Sequence, residues 1–504
     1  MPLIKTREPW ALVQTCIPKE KKMKQQAGFT IAAGIGVAAS MFAISSVGMG
    51  RSEAIVPPSP NDPLAQIVER MVDGMIQPQS CALFAPGTPW ERVEEVTAAL
   101  HGDENLRFSL QGSTWFGQGN SGTLTYSFPP DGLTIPAAIQ GEPTAPNEIH
   151  ARLNTIFASQ GGEPFWKDLF KQVFDRWTEI TGVEYIEVSD DGASWGSSGS
   201  ATRGDIRIVM KPIDGAGGVL AYNRFPNGGG DMVLDRAENW GSTFANYRFF
   251  RNIVSHEHGH GLGFLHVCPA VGEKLMEPFL NTSFDGPQLD DIRAGIFNYG
   301  DRNSPNQSAG QATSLGALNI DDSATMEEVG LRNNNDVDYY SFTAPSGALA
   351  TITVSPIGVT YVQGPQTQQC DGGNSFNALT IMDLQFSLRD SNDNVLASVN
   401  QTGFGEAEEL VEFDLPGAGE YFIRVSAADS NGVAQVYTMD VALSGLPAEP
   451  CPADITGDGQ VGSADLAIVL GEWGEMGSIA NISGSGQVGS GDLAIVLGNW
   501  GACP

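Results

Sequence analysis

The chain has 504 residues and a formal net charge of −32, which is long for a single domain. Because its acidic residues are spread along most of the chain, nucleic acid and anionic membranes would be repelled and are not expected as partners. Calcium binding and high solubility fit this charge better.

Near the N-terminus, the basic stretch "KEKKMKQQ" is followed by the uncharged run "AGFTIAAGIGVAASMFAISSVGMG". This order is typical of a secretory signal, and the depth of the basic stretch favours Met23 over Met1 as the true start. A membrane anchor is the alternative, although the many small residues favour cleavage. We therefore predict a signal and extension over residues 1–54, then an N-terminal or pro-region of unknown role over 55–115.

After export, five cysteines would remain in an oxidising compartment. Cys451 and Cys503 bracket the C-terminal segment, and we expect them to form a disulfide. The pairing of the other three stays open from sequence. These are Cys81, Cys268 and Cys370.

Residues 116–302 alternate strand-like and helical patterns. In "FWKDLFKQVFDRWTEITG" the apolar residues recur at helical spacing and Gly182 provides the stop. The short runs "VEYIEV", "GDIRIVM", "GGVLAYN" and "DMVLD" are typical of strands. A mixed sheet with packed helices, an α+β layer, is therefore predicted.

Four of the six histidines cluster in "HEHGHGLGFLH". On a helix, His256 and His260 project from one face and can share a cation. Gly263 lets the chain leave the helix, so that His266 can supply the third protein ligand of a zinc site with a water in the fourth position. Glu257 is placed to act as general base on that water. His258 points away from the ligand face, and we expect an ordinary, partly exposed side chain.

This motif resembles that of the metzincin zinc endopeptidases, and Met276 in "KLMEP" matches their methionine turn. The spacing and "LDDIRAGIFNYG" are most similar to the matrixin branch. The resemblance implies a secreted zinc metalloendopeptidase of the EC 3.4.24 type that hydrolyses extracellular proteins. The alternative is a non-catalytic extracellular binding or scaffold protein, and a metal-dependent hydrolase of a non-peptide substrate is a third reading.

The segment "DGAGGVLAYNRFPNGGGDMVLDRAENW" resembles the matrixin region that carries a structural calcium, a structural zinc and the substrate-binding edge strand. Oxygen donors are kept at the calcium positions, whereas Tyr222 and Val233 stand at zinc-histidine positions, so one zinc is expected and not two. The calcium donors are Asp214, Gly215, Asp235 and Glu238, and the edge-strand positions are Gly218, Leu220 and Ala221.

Matrixin zymogens usually carry an inhibitory cysteine in a Pro-Arg-Cys-Gly context. Cys81 lies in "QPQSCALFAPG", which does not match. We therefore expect Cys81 to form half of a disulfide rather than a latch on the metal.

A polar linker over 303–315 precedes residues 316–446, where strand-like runs alternate with turns and predict a β-sandwich. Runs such as "DVDYYSFTA" and "GEYFIRVSA" resemble the pre-peptidase C-terminal domains of secreted bacterial proteases.

Residues 447–504 contain a duplication, since "DITGDGQVGSADLAIVLGEWG" returns as "NISGSGQVGSGDLAIVLGNWG". Each unit has the ligand spacing of an EF-hand loop followed by one helix, and the second, with fewer carboxylates, is expected to bind calcium more weakly. The pair resembles a type I dockerin, which implies a cohesin-like partner and a secreted or cell-surface bacterial protein. The first loop offers Asp454, Thr456, Asp458, Gln460 and Asp465, and the second Asn481, Ser483, Ser485, Gln487 and Asp492.

Overall fold

A computed structural model describes residues 80–101, 113–364, 370, 372–445 and 451–503, all within the unit Gly74–Pro504. The segments expected to act as signal and extension lie outside the described residues. In the part of the chain that is described, no helix is long and apolar enough to cross a membrane.

The first layer is a mixed six-stranded sheet in the order β1-β7-β8-β6-β2-β5. β2 pairs in parallel with β5 and β6, and β6 with β8, whereas β7 is antiparallel to both β8 and β1. Its strands are β1 (Ser80–Phe84), β2 (Thr123–Ser127), β5 (Glu184–Glu187), β6 (Ile206–Lys211), β7 (Val219–Arg224) and β8 (Met232–Asp235); β3 (Thr134–Ile135) and β4 (Ala145–Pro146) form a separate pair. The mixed sheet predicted from the strand pattern is therefore present, with β1 as an additional edge strand.

Five helices accompany this sheet. In the helix α3 (Glu163–Thr181), Trp166 and Trp177 are fully buried. Gly182 ends this helix with a φ of 66°, a backbone conformation that residues other than glycine rarely adopt. The helices are α1 (Trp90–His101), α2 (Ile149–Ile156), α3 (Glu163–Thr181), α4 (Arg248–Gly261) and α5 (Leu289–Tyr299), with short 3₁₀ turns at Ala158–Gln160 and Pro226–Gly228. Helical spacing of apolar residues thus predicted α3 and its end correctly.

The second part of the structure is a β-sandwich with a hydrophobic core of its own. A four-stranded sheet has the order β10-β19-β12-β17 and a five-stranded sheet the order β16-β15-β18-β11-β9. The strands are β9 (Thr313–Ala317), β10 (Ser323–Leu331), β11 (Val337–Ala344), β12 (Ala348–Ile357), β13 (Thr360–Gln363), β14 (Asn374–Asn377), β15 (Met382–Asp390), β16 (Val395–Val399), β17 (Glu408–Asp414), β18 (Gly419–Ser430) and β19 (Gln435–Gly445), with 3₁₀ turns at Ala309–Gln311 and Ala378–Thr380. The sandwich predicted from strand texture is confirmed.

The sandwich packs directly on the first layer. A disulfide joins Cys268 to Cys370, and the Arg293 guanidinium of α5 donates to the Tyr361 hydroxyl and the Ala434 carbonyl, at 2.6 and 3.0 Å. Ala434 also belongs to the core beneath the six-stranded sheet. The six-stranded sheet with its helices and the β-sandwich therefore share a packed interface that a disulfide also links covalently.

The C-terminal segment forms two loop-helix units with a small apolar core. Cys451 is bonded to Cys503, the pairing expected from their positions. The helices are α6 (Ser463–Gly471) and α7 (Ser490–Gly498), and β20 (Gln460–Val461) pairs with β21 (Gly501–Ala502).

Candidate metal centre and substrate cleft

Three imidazoles converge at the end of α4. The rings of His256, His260 and His266 have centroids 4.7 to 5.2 Å apart, and the Nε2 atoms of His256 and His266 are separated by 3.3 Å. The two helical histidines are fully buried. Such a set of imidazole nitrogens fits zinc, which takes three protein ligands in a catalytic site.

Backbone carbonyls orient two of these rings. His256 Nδ1 lies 2.6 Å from the Leu275 carbonyl, and His260 Nδ1 lies 2.6 Å from the Phe264 carbonyl. A proton on Nδ1 leaves Nε2 as the electron-pair donor, which is the arrangement typical of metal-bound histidines. Burial lowers the pKa of His256 to about 4, despite the opposing Leu275 carbonyl, so its imidazole is neutral at neutral pH.

Two glycines let the chain form this centre. Gly263 has a φ of +90°, and a Cβ there would lie 2.3 Å from the Ser113 carbonyl oxygen. The turn that carries the chain from α4 toward His266 therefore needs glycine. A Cβ at Gly259 would lie 2.4 Å from the Met276 sulfur, so the helix packs tightly on the buried methionine, where the methionine-turn prediction placed it.

Asp291 holds the methionine turn from below. Its carboxylate accepts hydrogen bonds from the Leu275 and Met276 amides at 2.9 and 3.1 Å. Burial first, and the nearby charge of Asp290 next, raise the pKa of Asp291 to about 7. Sequence inspection did not single out this residue, although its place in the first turn of α5 was visible.

Glu257 follows His256 on α4 and is fully buried. Its Oε1 accepts a hydrogen bond from the Leu83 amide at 3.1 Å, and among the described residues its Oε2 has no hydrogen-bond partner. Burial raises the pKa of Glu257 well above its usual range, against the lowering effect of the Leu83 amide.

The expectation for His258 was wrong. This side chain is fully buried, and its Nε2 lies 2.6 Å from the Tyr185 hydroxyl. The Phe174 ring packs edge-on against it. Burial lowers the pKa of His258 to about 3, so this histidine is a neutral core group that connects α4 to β5.

The expectation that Cys81 forms a disulfide was also wrong. Cys81 is a free, buried thiol, and its Sγ lies 3.6 and 3.7 Å from the two ring nitrogens of His266. With His260 and His266 it forms the group of potential ligands whose donor atoms lie within 4.8 Å of one another. Cys81 therefore stands at the metal centre itself, where a sulfur can serve as a zinc ligand.

Of the three positions predicted on the substrate-binding edge strand, Leu220 and Ala221 lie on β7 and Gly218 directly precedes it, but β7 is an inner strand because β1 pairs with its outer side. β1 pairs antiparallel with β7, so that Leu83 is opposite Ala221. The Ala85 amide donates to the Gly218 carbonyl at 2.7 Å, and Leu220 lies in the core with Leu83. The pattern around Cys81 gave no signal for this pairing.

The upstream loops bring the three predicted calcium carboxylates together. Asp235 accepts hydrogen bonds from the Asp214 and Gly215 amides, and Glu238 accepts one from Gly217 at 2.6 Å. Burial first, then the charges of Asp235 and Asp214, raise the pKa of Glu238 to about 7. Asp214 also forms an ion pair with the Arg92 guanidinium at 3.2 Å, so a cation of this chain already neutralises part of the negative charge of the two loops.

At the positions compared with structural zinc ligands, Tyr222 and Val233 face each other across β7 and β8. Both are buried in one apolar cluster, and the Tyr222 hydroxyl donates to Glu142 at 3.0 Å. The two positions therefore carry an apolar side chain and a phenol that is hydrogen-bonded to Glu142, instead of histidine ligands.

In the C-terminal loops, the last position of each unit organises the backbone. Asp465 accepts hydrogen bonds from the Thr456 and Gly462 amides, and Asp492 accepts them from Ser483 and Gly489, at 2.7 to 2.9 Å. The remaining predicted ligands lie in the same two loops, namely Asp454, Asp458 and Gln460, and Asn481, Ser485 and Gln487.

Comparison with known proteins identifies the two larger parts. Residues 159–298 match the family model described as Matrixin, and residues 336–427 match that of the bacterial pre-peptidase C-terminal domain. The chain thus carries a matrixin domain followed by a pre-peptidase C-terminal (PPC) domain.

Among individual proteins, the chain is similar to matrix metalloproteinase-26 of Homo sapiens, with 39% identity over 110 residues. That alignment covers 20% of this chain and 38% of the human protein. Two solved structures each cover 26% of this chain at 16% identity and a TM-score of 0.16: the PPC domain of Bacillus anthracis collagenase and the lysozyme inhibitor PliG of Aeromonas hydrophila, covered to 96% and 100%. Likenesses at that TM-score add nothing to the assignment.

Proposed function

We propose that this protein is a secreted zinc endopeptidase in which His256, His260 and His266 hold the metal and Glu257 is the general base. The observation that carries the proposal is the convergence of three imidazoles, two of them oriented by backbone carbonyls, at the end of the helix that also carries the buried Glu257 carboxylate.

When bound, zinc lowers the pKa of a water molecule and polarises the scissile carbonyl. The Oε2 atom of Glu257 has no hydrogen-bond partner among the described residues and can accept the proton of that water. The Oε1 atom already accepts a hydrogen bond from the Leu83 amide. The same carboxyl group is therefore placed to deliver the proton to a leaving amine. Met276 packs against α4 at Gly259, and Asp291 accepts hydrogen bonds from the Leu275 and Met276 amides, so both stabilise the centre.

The test measures zinc content and casein cleavage in the full chain and in its Cys81→Ser variant, which opens the metal centre. We expect one zinc per chain and cleavage of casein. Glu257→Gln should lower cleavage by at least about 100-fold while zinc content stays the same. Full cleavage by Glu257→Gln would refute the assigned role.

Two histidine variants on one helix provide a matched control. His256→Gln should lose the zinc, whereas His258→Gln should keep it, because the amide can still hydrogen-bond to Tyr185. Equal zinc loss in both would show that burial on α4, rather than ligation, controls metal content.

For the acidic loops we propose calcium as the ligand, since gathered carboxylates and carbonyls suit it. In the catalytic part this concerns Asp214, Gly215, Asp235 and Glu238, which the hydrogen bonds between the two loops bring together. In the C-terminal units, the first loop is the stronger site because it keeps three carboxylates, Asp454, Asp458 and Asp465.

For the C-terminal pair we propose a dockerin-like role with a cohesin-like protein as partner. The supporting observation is a duplicated apolar surface: Leu470 and Trp473 after the first loop, and Leu497 and Trp500 after the second, are each 50 to 54% exposed. Export to an extracellular location is supported by the two disulfides, which form in oxidising compartments.

A further inference from the structure

A hairpin of the β-sandwich contacts the loop of residues 267–275, which joins the third histidine to the methionine turn. This hairpin, β13 with β14, belongs to neither of the two larger sheets of the sandwich. The Gly364 amide donates to the Cys268 carbonyl at 3.1 Å, and the Ala270 amide donates to the Cys370 carbonyl at 3.0 Å. Together with the disulfide between the two cysteines, these hydrogen bonds attach the beginning of the loop to the sandwich.

The end of the same loop carries a buried ion pair that faces the hairpin. Lys274 and Glu277 are each 2% exposed, and Lys274 Nζ lies 3.5 Å from a Glu277 carboxylate oxygen. The Nζ atom also lies 5.8 Å from the centroid of the Tyr361 ring of β13. An ammonium group at this distance from an aromatic ring is attracted to it. Tyr361 therefore helps to hold the lysine that directly precedes Leu275.

The hydroxyl group of Tyr361 contacts the helix α5. It donates a hydrogen bond to the Asp290 carboxylate and accepts one from the Arg293 guanidinium, each at 2.6 Å, and Tyr361 is only 6% exposed. Asp291, the next residue of α5, accepts a hydrogen bond from the Leu275 amide at 2.9 Å. Because Asp290 and Asp291 are consecutive, a side chain that holds Asp290 also holds the carboxylate that binds Leu275.

Leu275 connects these contacts to the metal centre. Its carbonyl oxygen lies 2.6 Å from Nδ1 of His256, and Nε2 of the same ring lies 3.3 Å from Nε2 of His266. The direction in which Nε2 points depends on the rotation of the ring, and the partner of Nδ1 fixes that rotation. A displacement of Leu275 would therefore turn the His256 imidazole away from the position where it can bind a metal.

We propose that Tyr361 of the PPC domain is a positioning residue for the zinc ligand His256. It acts through Asp290, Asp291 and Leu275, so the PPC domain is a component of the catalytic unit. This inference rests on the proposed function, because it concerns a ligand of the proposed zinc ion. The contacts of Tyr361 reach the metal centre only through the orientation of the imidazole ring, and its effect is therefore on metal affinity and geometry.

The experiment measures the zinc dissociation constant of the full chain in the Cys81→Ser background, by competition with a chromophoric chelator. Tyr361→Phe keeps the ring over Lys274 and removes the hydroxyl, so it should raise the dissociation constant about tenfold, the lower end of the range for groups that orient metal ligands. Tyr421→Phe is the matched control, because it removes a hydroxyl of the sandwich that donates to the Gly417 carbonyl at 2.6 Å. Its effect should be less than about twofold, since distant sites are usually independent.

Variants of Asp290 distinguish a series of hydrogen bonds from general loosening of the interface. Asp290→Asn keeps an oxygen that accepts from the Tyr361 hydroxyl, so its dissociation constant should stay within about threefold of the parent, whereas Asp290→Ala should raise it about tenfold. The double variant Tyr361→Phe/Asp290→Ala should also stay near tenfold, because changes within one network are not additive. A rise to about 100-fold, the product of two independent effects, would overturn the proposed series.

Two further readouts do not depend on activity. Cobalt(II) bound in place of zinc has visible absorption bands that report the ligand geometry, and these bands should shift in Tyr361→Phe but not in Tyr421→Phe. In the metal-free protein, the Leu275 and Met276 amides should exchange with deuterium faster in Tyr361→Phe. An unchanged cobalt spectrum, or unchanged exchange at these two amides, would contradict the positioning role.

The outcomes separate this inference from the proposed function. If Tyr361→Phe and Tyr421→Phe bind zinc equally tightly, while casein cleavage still requires Glu257, the positioning role is overturned and the peptidase function stands. If His256→Gln binds zinc as tightly as the parent chain, His256 is not a ligand, and the proposed function and this inference both fail.

Discussion

The seating of Leu83 gives a prediction of how readily the strand opens. In the metal-free protein a reagent can reach the buried Cys81 thiol only when β1 separates from β7. Leu83→Ala removes buried methyl groups, and buried leucine-to-alanine changes cost about 2–5 kcal/mol. We take the lower part of this range, about 2–3 kcal/mol, because β1 is the edge strand of its sheet and its surroundings can relax. Since each 1.36 kcal/mol is tenfold, the thiol should be labelled about 30- to 160-fold faster.

The assay follows labelling of Cys81 by a thiol reagent under non-reducing conditions, in a Cys16→Ser background so that the label does not react at Cys16. Leu443→Ala is the matched control: Leu443 is 2% exposed and lies in the sandwich core, so it loses the same groups without contacting β1. If Cys81 is labelled no faster in Leu83→Ala than in wild type, or equally faster in Leu443→Ala, then the pairing of β1 with β7 does not depend on the Leu83 side chain.

Two further predictions concern stability. In chelator, the raised pKa of Glu238 means that its contribution to stability is present below pH about 4.5 and is lost as the pH rises to about 7. Melting at pH 7.5 should therefore show Glu238→Gln at or above wild type in chelator, and below it in calcium; the same order in both buffers would contradict a calcium site. For the disulfide, replacing Cys268 and Cys370 by serine opens a link with a sequence separation of 102, so the denaturant-derived free energy of unfolding should fall by up to about 4.7 kcal/mol. A fall below about 1 kcal/mol would show that packing alone holds the interface.

What the sequence predicted well was local. The histidine spacing on α4, the glycine that turns the chain and the period of α3 depend on neighbours within a few residues, so they can be read directly. The strand texture of the sandwich is equally local. The environment of His258 was not, because its burial depends on Tyr185 and Phe174, which approach from β5 and α3.

Pairings between distant segments could not be predicted. The pairing of β1 with β7 needs the edge of β7, and that edge exists only once the sheet has formed. The context of Cys81 lacks the expected motif, so its pattern gave no warning of a metal contact. Likewise, three cysteines allow three pairs, and only the packing of the sandwich on the first layer brings Cys268 next to Cys370.

The position of that disulfide gives the PPC domain a part in the architecture of the site. Cys268 lies two residues after His266, and the loop that follows is also tied to the sandwich through Glu273, which accepts from the Val362 amide at 2.9 Å. The loop ends at the methionine turn, which Asp291 holds from the other side. The segment from the third histidine to Met276 is therefore braced by two domains. The groups that orient its ligands determine the geometry of a metal centre. The sandwich therefore helps to hold the segment from His266 to Met276 in place.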